Sequence, residues 1–290
     1  MRVFITGATG FVGLNLVEVL LERGDDVVSL SLDDIPASAR AVFARLPGKL
    51  RVETGDVRDV ERLERLMRDH GTTHMLPLAA VTAGPAREAS DPASIFEINV
   101  VALIAQLRAA RAAAVARVVV PSSAGVYGRR FYGDRPVRET EAEPVSLYGI
   151  SKLAGEQAAL RLSDVWQMDI VAARIGGVFG PWERHTGLRD LISPHWQLAR
   201  VAFDCGEAVL PRRIADYSWV YARDVASGIL RLLDAETLPH RVVNLCSGLP
   251  WGSRILEWCA TLERNFPEFR WRQGDEGEVN IRFTEQRDRT

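Results

Sequence analysis

Three glycines close to the start of the chain, in Gly7-Ala8-Thr9-Gly10-Phe11-Val12-Gly13, stand between a short apolar run and a stretch with helical periodicity. Glycines at this spacing give a tight turn, a bare backbone that another group can approach, and close packing of the following helix on the preceding strand. The run Arg2–Thr6 (RVFIT) is nearly all apolar, as in a strand of a parallel sheet covered on both faces. From Phe11 to Arg23 the residues Val12, Leu16, Val19 and Leu20 share one helical face, and Gly24 supplies a stop. The chain therefore opens as a βαβ unit. Its helix N-terminus is suited to an anionic group such as the pyrophosphate of a dinucleotide.

The same alternation continues. Strands are expected at Val27–Leu32, Leu50–Glu53, Met75–Ala80, Arg117–Pro121 and Asp169–Arg174, with helices at Val60–Asp69, Ala93–Ala114 and Leu147–Leu162. This spacing predicts an α/β fold, a Rossmann-type doubly wound parallel sheet with its ligand crevice at the C-terminal strand ends. Beyond Gly180-Pro181 the pattern breaks into loops, with helical stretches near Leu198 and over Val225–Leu233 and many tryptophans. The expected division is a dinucleotide-binding domain over 1–175 and, over 176–290, mainly a smaller C-terminal substrate lobe, some segments of which return to the sheet.

Tyr148-Gly149-Ile150-Ser151-Lys152 places a phenol and an ammonium at i and i+4, on one face of the expected helix. A phenol with an ordinary pKa near ~10 is a poor base at neutral pH, and a fixed positive charge beside it favours the phenolate. Joined to the glycine turn, this pair points to proton transfer at an alcohol while a hydride moves to or from a nicotinamide.

Bulk properties exclude several other classes. The chain has 290 residues, a formal net charge of -2, 47% hydrophobic and 26% charged residues, and no basic block that would suggest nucleic acid. Cys205, Cys246 and Cys259 lack CxxC spacing, and the five histidines lack ligand spacing, so neither a disulfide framework nor a metal site is expected. Met1 leads straight into a strand and no apolar run is read as membrane-spanning. A cytoplasmic protein with no membrane partner is the expectation.

These motifs, in order, resemble the extended short-chain dehydrogenase/reductase family, whose members include NAD-dependent sugar-nucleotide epimerases and dehydratases. The resemblance runs from Met1 to about Gly248. It rests on GATGFVG (7–13), GDVRD (55–59), LAAVT (78–82), Asn99-Val100, SSAGVYG (122–128), YGISK (148–152), RIGGVFGP (174–181), WVYARDVA (219–226) and NLCSG (244–248). It implies Tyr148 as acid/base, Lys152 as both its pKa-lowering partner and a ligand of the nicotinamide ribose, and Ser123 as the hydroxyl that holds the reacting oxygen. For the cofactor it implies Gly7, Gly10, Phe11, Val12, Gly13, Ser31, Asp33, Asp56, Val57, Leu78, Ala79, Ala80, Asn99 and Pro181, besides Tyr148 and Lys152. Asp56 has a competing reading as a helix cap. A homodimer through the helices Ala93–Ala114 and Leu147–Leu162 is also implied.

The departures from the family pattern concern specificity. Asp33 and Asp34 follow the second strand with no arginine directly after it, which favours NAD over NADP, the alternative cofactor. Gly177 stands where nucleotide-sugar members carry an asparagine against the diphosphate, and no acidic pair follows Ser123 as in dehydratases. A compact sugar-type substrate bearing a carboxylate or phosphate is then expected, held by Arg184, Arg189 or Arg213. Two activities stay open. One is an oxidoreductase acting on a sugar hydroxyl, the other an epimerase that uses NAD transiently. A non-catalytic cofactor sensor is disfavoured because Ser123, Tyr148 and Lys152 are all present.

Overall fold

In a computed structural model, the residues described are all but 133–137, 215–217, 250–251, 282 and 284–290. The first half alternates as its apolar pattern requires: β1 (Arg2–Thr6), α1 (Phe11–Arg23), β2 (Asp26–Ser31), α2 (Ala37–Phe43), β3 (Lys49–Thr54), α3 (Val60–Asp69) and β4 (His74–Pro77). After β4 come α4 (Pro85–Ser90), α5 (Pro92–Phe96), a π-helical turn (Glu97–Ala102), α6 (Leu103–Ala112), β5 (Arg117–Ser123), α7 (Leu147–Trp166) and β6 (Asp169–Ile175). The remainder supplies β7 (Gly177–Phe179), α8 (Pro194–Phe203), β8 (Glu207–Pro211), β9 (Trp219–Tyr221), α9 (Ala222–Asp234), β10 (Val242–Leu245), α10 (Gly252–Asn265) and β11 (Arg270–Gly274).

Seven strands form one parallel sheet in the order β3-β2-β1-β4-β5-β6-β10. Alternate residues of β1 serve opposite faces. Val3 and Ile5 pack with α1 and α9 residues such as Leu16 and Ile229, while Phe4 packs with Leu63, Met67 and Leu107 of α3 and α6. Strand order reverses between β1 and β4, so the crevice for a ligand opens beyond Thr6 and Pro77, which are partners in register.

Most expected elements shift by a few residues at their ends, and the larger departures from the sequence-based expectation have physical reasons. β4 ends at Pro77 rather than Ala80, because the Leu78 amide turns to Thr6 O (3.1 Å) and the Ala79 amide to Thr6 Oγ (3.3 Å). The long helix is broken by its π turn, a geometry frequent at functional sites. The stretch Pro92–Ala112 is also long and apolar enough, by length and composition, to cross a membrane, contrary to expectation. Here its Leu103, Leu107, Ala109 and Ala110 are part of the core under the sheet.

The portion after residue 176 divides between two cores. β7–β9 and β8–β11 form two small parallel pairs, and Leu198, Leu210, Ile255, Leu262 and Phe269 gather α8, β8, α10 and the residue just before β11 into a second core. In contrast, α9 packs on α1 and β10 extends the main sheet beside β6. The dinucleotide layer is therefore completed by residues far beyond 175.

Candidate active site

At the switch point the backbone of the glycine turn leaves no room for side chains. Gly7 has φ +67°, and a Cβ there would sit 2.7 Å from Ala79 N; a Cβ on Gly13 would sit 2.5 Å from Gly7 O. Gly10 is the N-cap of α1, without a side-chain cap and with no acidic residue in the first turn. Phe11 and Val12 thus begin a helix whose positive end faces the crevice, which fits a dinucleotide pyrophosphate. Ser31, at the end of β2, is buried and its Oγ accepts the Thr9 amide (3.3 Å), so it secures the turn; Asp33 is exposed just past the strand.

The Asp56 carboxylate is gripped by Arg58 (2.6 Å), whose hydrogen bonds and charge hold it below the usual carboxylate range against a smaller opposing effect of burial. The competing cap reading of Asp56 fails, since Asp59 caps α3 by accepting Arg62 N (3.1 Å). Val57 is buried, while Leu78, Ala79 and Ala80 form the half-buried wall beyond β4. Pro181 O accepts from Asn15 Nδ2 (2.8 Å), fixing the start of the following loop on α1. Asn99 is buried in the π turn, where its amide bonds both Val81 N (2.9 Å) and Val81 O (3.0 Å) and donates to Ser151 Oγ (3.0 Å). It ties the segment after β4 to α7.

The N-terminus of α7 is capped twice. Ser146 Oγ accepts Gly149 N (3.1 Å), and the Glu88 carboxylate of α4 accepts Leu147 N (2.7 Å). A Cβ on Gly149 would sit 2.7 Å from Gly125 O, so the helix approaches the segment after β5 as closely as backbones permit. This brings Tyr148 to Ser123. The Ser123 and Thr82 hydroxyls are the polar neighbours of the Tyr148 phenol, and Ser123 Oγ accepts Gly125 N (3.1 Å). Burial raises the phenol above its ordinary value, while the Ser123 and Thr82 hydroxyls and, least, the Arg189 charge oppose the rise.

Lys152 follows one turn later on α7, and burial lowers its ammonium to about 8. Glu156 opposes that shift, yet both of its oxygens are taken by Arg174 (2.6 and 2.9 Å). Arg174 also donates to Tyr127 Oη (2.9 Å), which donates to Asn244 Oδ1 (2.7 Å). This buried pair therefore links α7, the segment after β5, and β10.

The loop from 181 to 193 lies over the cofactor side of the crevice. Trp182 Nε1 donates to Glu18 of α1 (2.7 Å), and Arg184 donates to Thr9 O of the glycine turn (2.6 Å). Arg189 lies over the Phe11 ring (4.7 Å) and pairs with Glu183 (3.0 Å). Its backbone bridges Thr82, while Asp190 binds Gly84 N (2.9 Å) and Arg87. Arg184 and Arg189, expected on the substrate side, are thus placed against the glycine turn and Phe11.

The other two expected substrate positions are not brought to this cluster. Arg213 is exposed beyond β8. A Cβ on Gly177 would meet the Trp219 indole at 3.0 Å, so that ring takes the space an asparagine side chain would need. Sequence reasoning misses Thr82, Glu88, Ser151, Glu183 and the Glu156–Arg174 pair. Thr82 closes the LAAVT motif, Ser151 lies within YGISK, Arg174 opens RIGGVFGP and Glu183 follows Pro181-Trp182; Glu88 and Glu156 carry no signal of their own.

Fold and site together define a dinucleotide-binding α/β protein with a Ser–Tyr–Lys set at its strand ends. Residues 3–246 match the NAD dependent epimerase/dehydratase family, and the chain belongs to that family. It is 31% identical over 190 residues to UDP-glucuronate 4-epimerase 4 of Arabidopsis thaliana, covering 63% of this chain and 43% of that protein. It is 33% identical over 166 residues to UDP-glucose 4-epimerase of Erwinia amylovora, covering 54% and 47% respectively. The chain thus spans less than half the length of these curated relatives. The UDP-glucose 4-epimerase of Thermus thermophilus, solved with NAD, superposes with a TM-score of 0.73 at 25% identity, covering 96% of this chain and 88% of that one. A UDP-N-acetylglucosamine 4-epimerase from Methanobrevibacter ruminantium shares the fold at a TM-score of 0.77 and 23% identity, covering 97% and 87%.

Proposed function

We propose that this chain catalyses NAD-dependent redox chemistry at a ring hydroxyl of a nucleotide-linked sugar, as a 4-epimerase that re-reduces its own keto product. The observation that carries this is the hydroxyl cluster of Ser123, Thr82 and Tyr148 at the strand ends opposite the glycine turn. Bound NAD would supply the hydride acceptor and donor at the sugar carbon. Tyr148 takes the hydroxyl proton as charge leaves the carbon and returns it on reduction. Ser123 holds the reacting oxygen, and Lys152 beside the phenol favours its ionised form. The relatives named as UDP-sugar 4-epimerases support the nucleotide-sugar class.

A second reading, a dehydrogenase of a free sugar or sugar acid, is favoured by one feature. The Trp219 indole blocks a diphosphate-binding side chain at 177. Incubation with NAD and either UDP-glucuronic acid, UDP-glucose or free glucuronic acid separates the two. A C4 epimer from a UDP-sugar with no net NADH supports the first reading. Net NADH from the free acid alone supports the second.

The same reading includes a homodimer through the outer faces of the helix Pro92–Ala112 and of α7. These faces leave Val101, Ile150 and Val165 at 63, 40 and 55% exposure, an apolar surface that pairing would bury.

A further inference from the structure

Four residues other than glycine have a positive φ among the described residues. Ala114, Gln167 and Cys205 lie just past the ends of α6, α7 and α8, where a left-handed residue is common. Trp182 ends no helix. Its φ of +68° falls at the third position of the turn Gly180-Pro181-Trp182-Glu183, in which Glu183 N donates to Gly180 O (3.4 Å). With proline second this is a type II pattern, which favours glycine or asparagine at the third position. A bulky side chain there is strained, and it persists only where its surroundings hold it.

Those surroundings are specific. The indole Nε1 donates to Glu18 Oε2 on α1 (2.7 Å), and the ring meets Phe43 of α2 edge-on, with centroids 5.9 Å apart. Glu18 is buried, and its other oxygen accepts from Arg223 of α9 (2.5 Å). Pro181 O is held by Asn15 Nδ2 (2.8 Å), which also donates to Phe11 O (2.9 Å). The turn is thereby fastened along the flank of α1, and the chain beyond it is delivered to the N-terminus of that helix. There Arg184 donates through Nη2 to Thr9 O (2.6 Å) and through Nη1 to Trp182 O (3.4 Å). No carboxylate forms an ion pair with Arg184 among the described residues, so its charge is left for a group arriving at the glycine turn. We propose that Trp182 is a positioning residue for the cofactor: its indole latches the strained turn to Glu18 and Phe43 and so seats the Arg184 guanidinium over the anionic part of NAD. A residue better suited to the turn would lack the latch, and the strain is tolerated for the contacts the ring makes.

This inference rests on NAD lying along the glycine turn, and its test needs no sugar, so its failure is distinct from failure of the substrate assignment. Bound NADH is chased with excess NAD, and its fluorescence gives the release rate. Trp182→Gly suits the turn but removes the latch, and it should release NADH about ten-fold faster than wild type. Arg184→Ala should also speed release. Adding Trp182→Gly to it should then change the rate by less than about two-fold, because the latch acts through the guanidinium. Release from Trp182→Gly at the wild-type rate, or effects of the two changes that simply multiply, overturns the proposal. If Trp182→Gly does not fold, Trp182→Phe decides, since it keeps a ring for Phe43 but cannot donate to Glu18. Release about three-fold faster is then expected, and the wild-type rate overturns the proposal.

Discussion

The α-carbon of Gly149 faces the carbonyl of Gly125 so closely that a Cβ would sit 2.7 Å from that oxygen. Two chain segments with no local relationship are thereby held backbone to backbone. The consequence is that Tyr148, the residue before Gly149, meets the side chain of Ser123, two residues before Gly125.

Gly149→Ala should push α7 away from Gly125 and open the Tyr148–Ser123 contact. Turnover should fall about ten-fold or more, because reacting groups lose their geometry before the fold is lost. Far-ultraviolet circular dichroism should change little, and steady-state kinetics on the sugar substrate would read the loss.

Tyr148→Phe keeps the ring packed against Val81 and Ala83 but removes the proton-carrying oxygen. Turnover should drop by at least about a hundred-fold while NAD affinity by calorimetry changes little. Activity within a few-fold of wild type would remove Tyr148 from its role.

Lys152 costs the fold stability at neutral pH. Its folded value of about 8 lies below the ordinary 10.5, so its charged form is disfavoured in the folded chain below about 8. As pH rises from about 8 to 10.5, the unfolded chain keeps the proton that the folded one has released, and stability increases. Lys152→Met should therefore unfold at higher denaturant than wild type at neutral pH, with the advantage shrinking as pH rises through that window. A constant difference at all pH values would count against the buried ammonium.

Glu156→Ala leaves the Arg174 guanidinium buried without its carboxylate. Its side chain is only 4% exposed, so about 3–5 kcal/mol of stability should be lost in denaturant unfolding. The same change removes the field that raises Lys152, and the Lys152 titration should move further down.

Arg184→Ala should weaken NAD binding, since its guanidinium lies on Thr9 O at the turn that faces the pyrophosphate. A loss of about ten-fold, larger at low salt than at high salt, is the expected calorimetric result. Equal affinity would return Arg184 to the substrate side.

Local rules make much of this molecule legible in its residues. Strand β1, helix α1 with its Gly24 stop, helix α3 and the start of α7 fall where apolar periodicity and glycine place them. The glycine turn and the Tyr148–Lys152 spacing carry their chemistry within a few residues, so they need no tertiary information. What tertiary structure decided lies in contacts between segments far apart in the chain. The strand β4 stops early because Thr6 claims the amides that follow it, and β10 joins the main sheet because Val242 finds Ala172. Thr82 and Arg189 become neighbours only through a backbone bridge between two loops, and Glu183 acquires its meaning from Ser193 and Arg189. Loop-to-loop pairing has no period in sequence, because it is set by where the sheet ends deliver the chain. The sequence by itself therefore determined the motifs from which the proposed chemistry is read, and the folded arrangement decided which charges surround them.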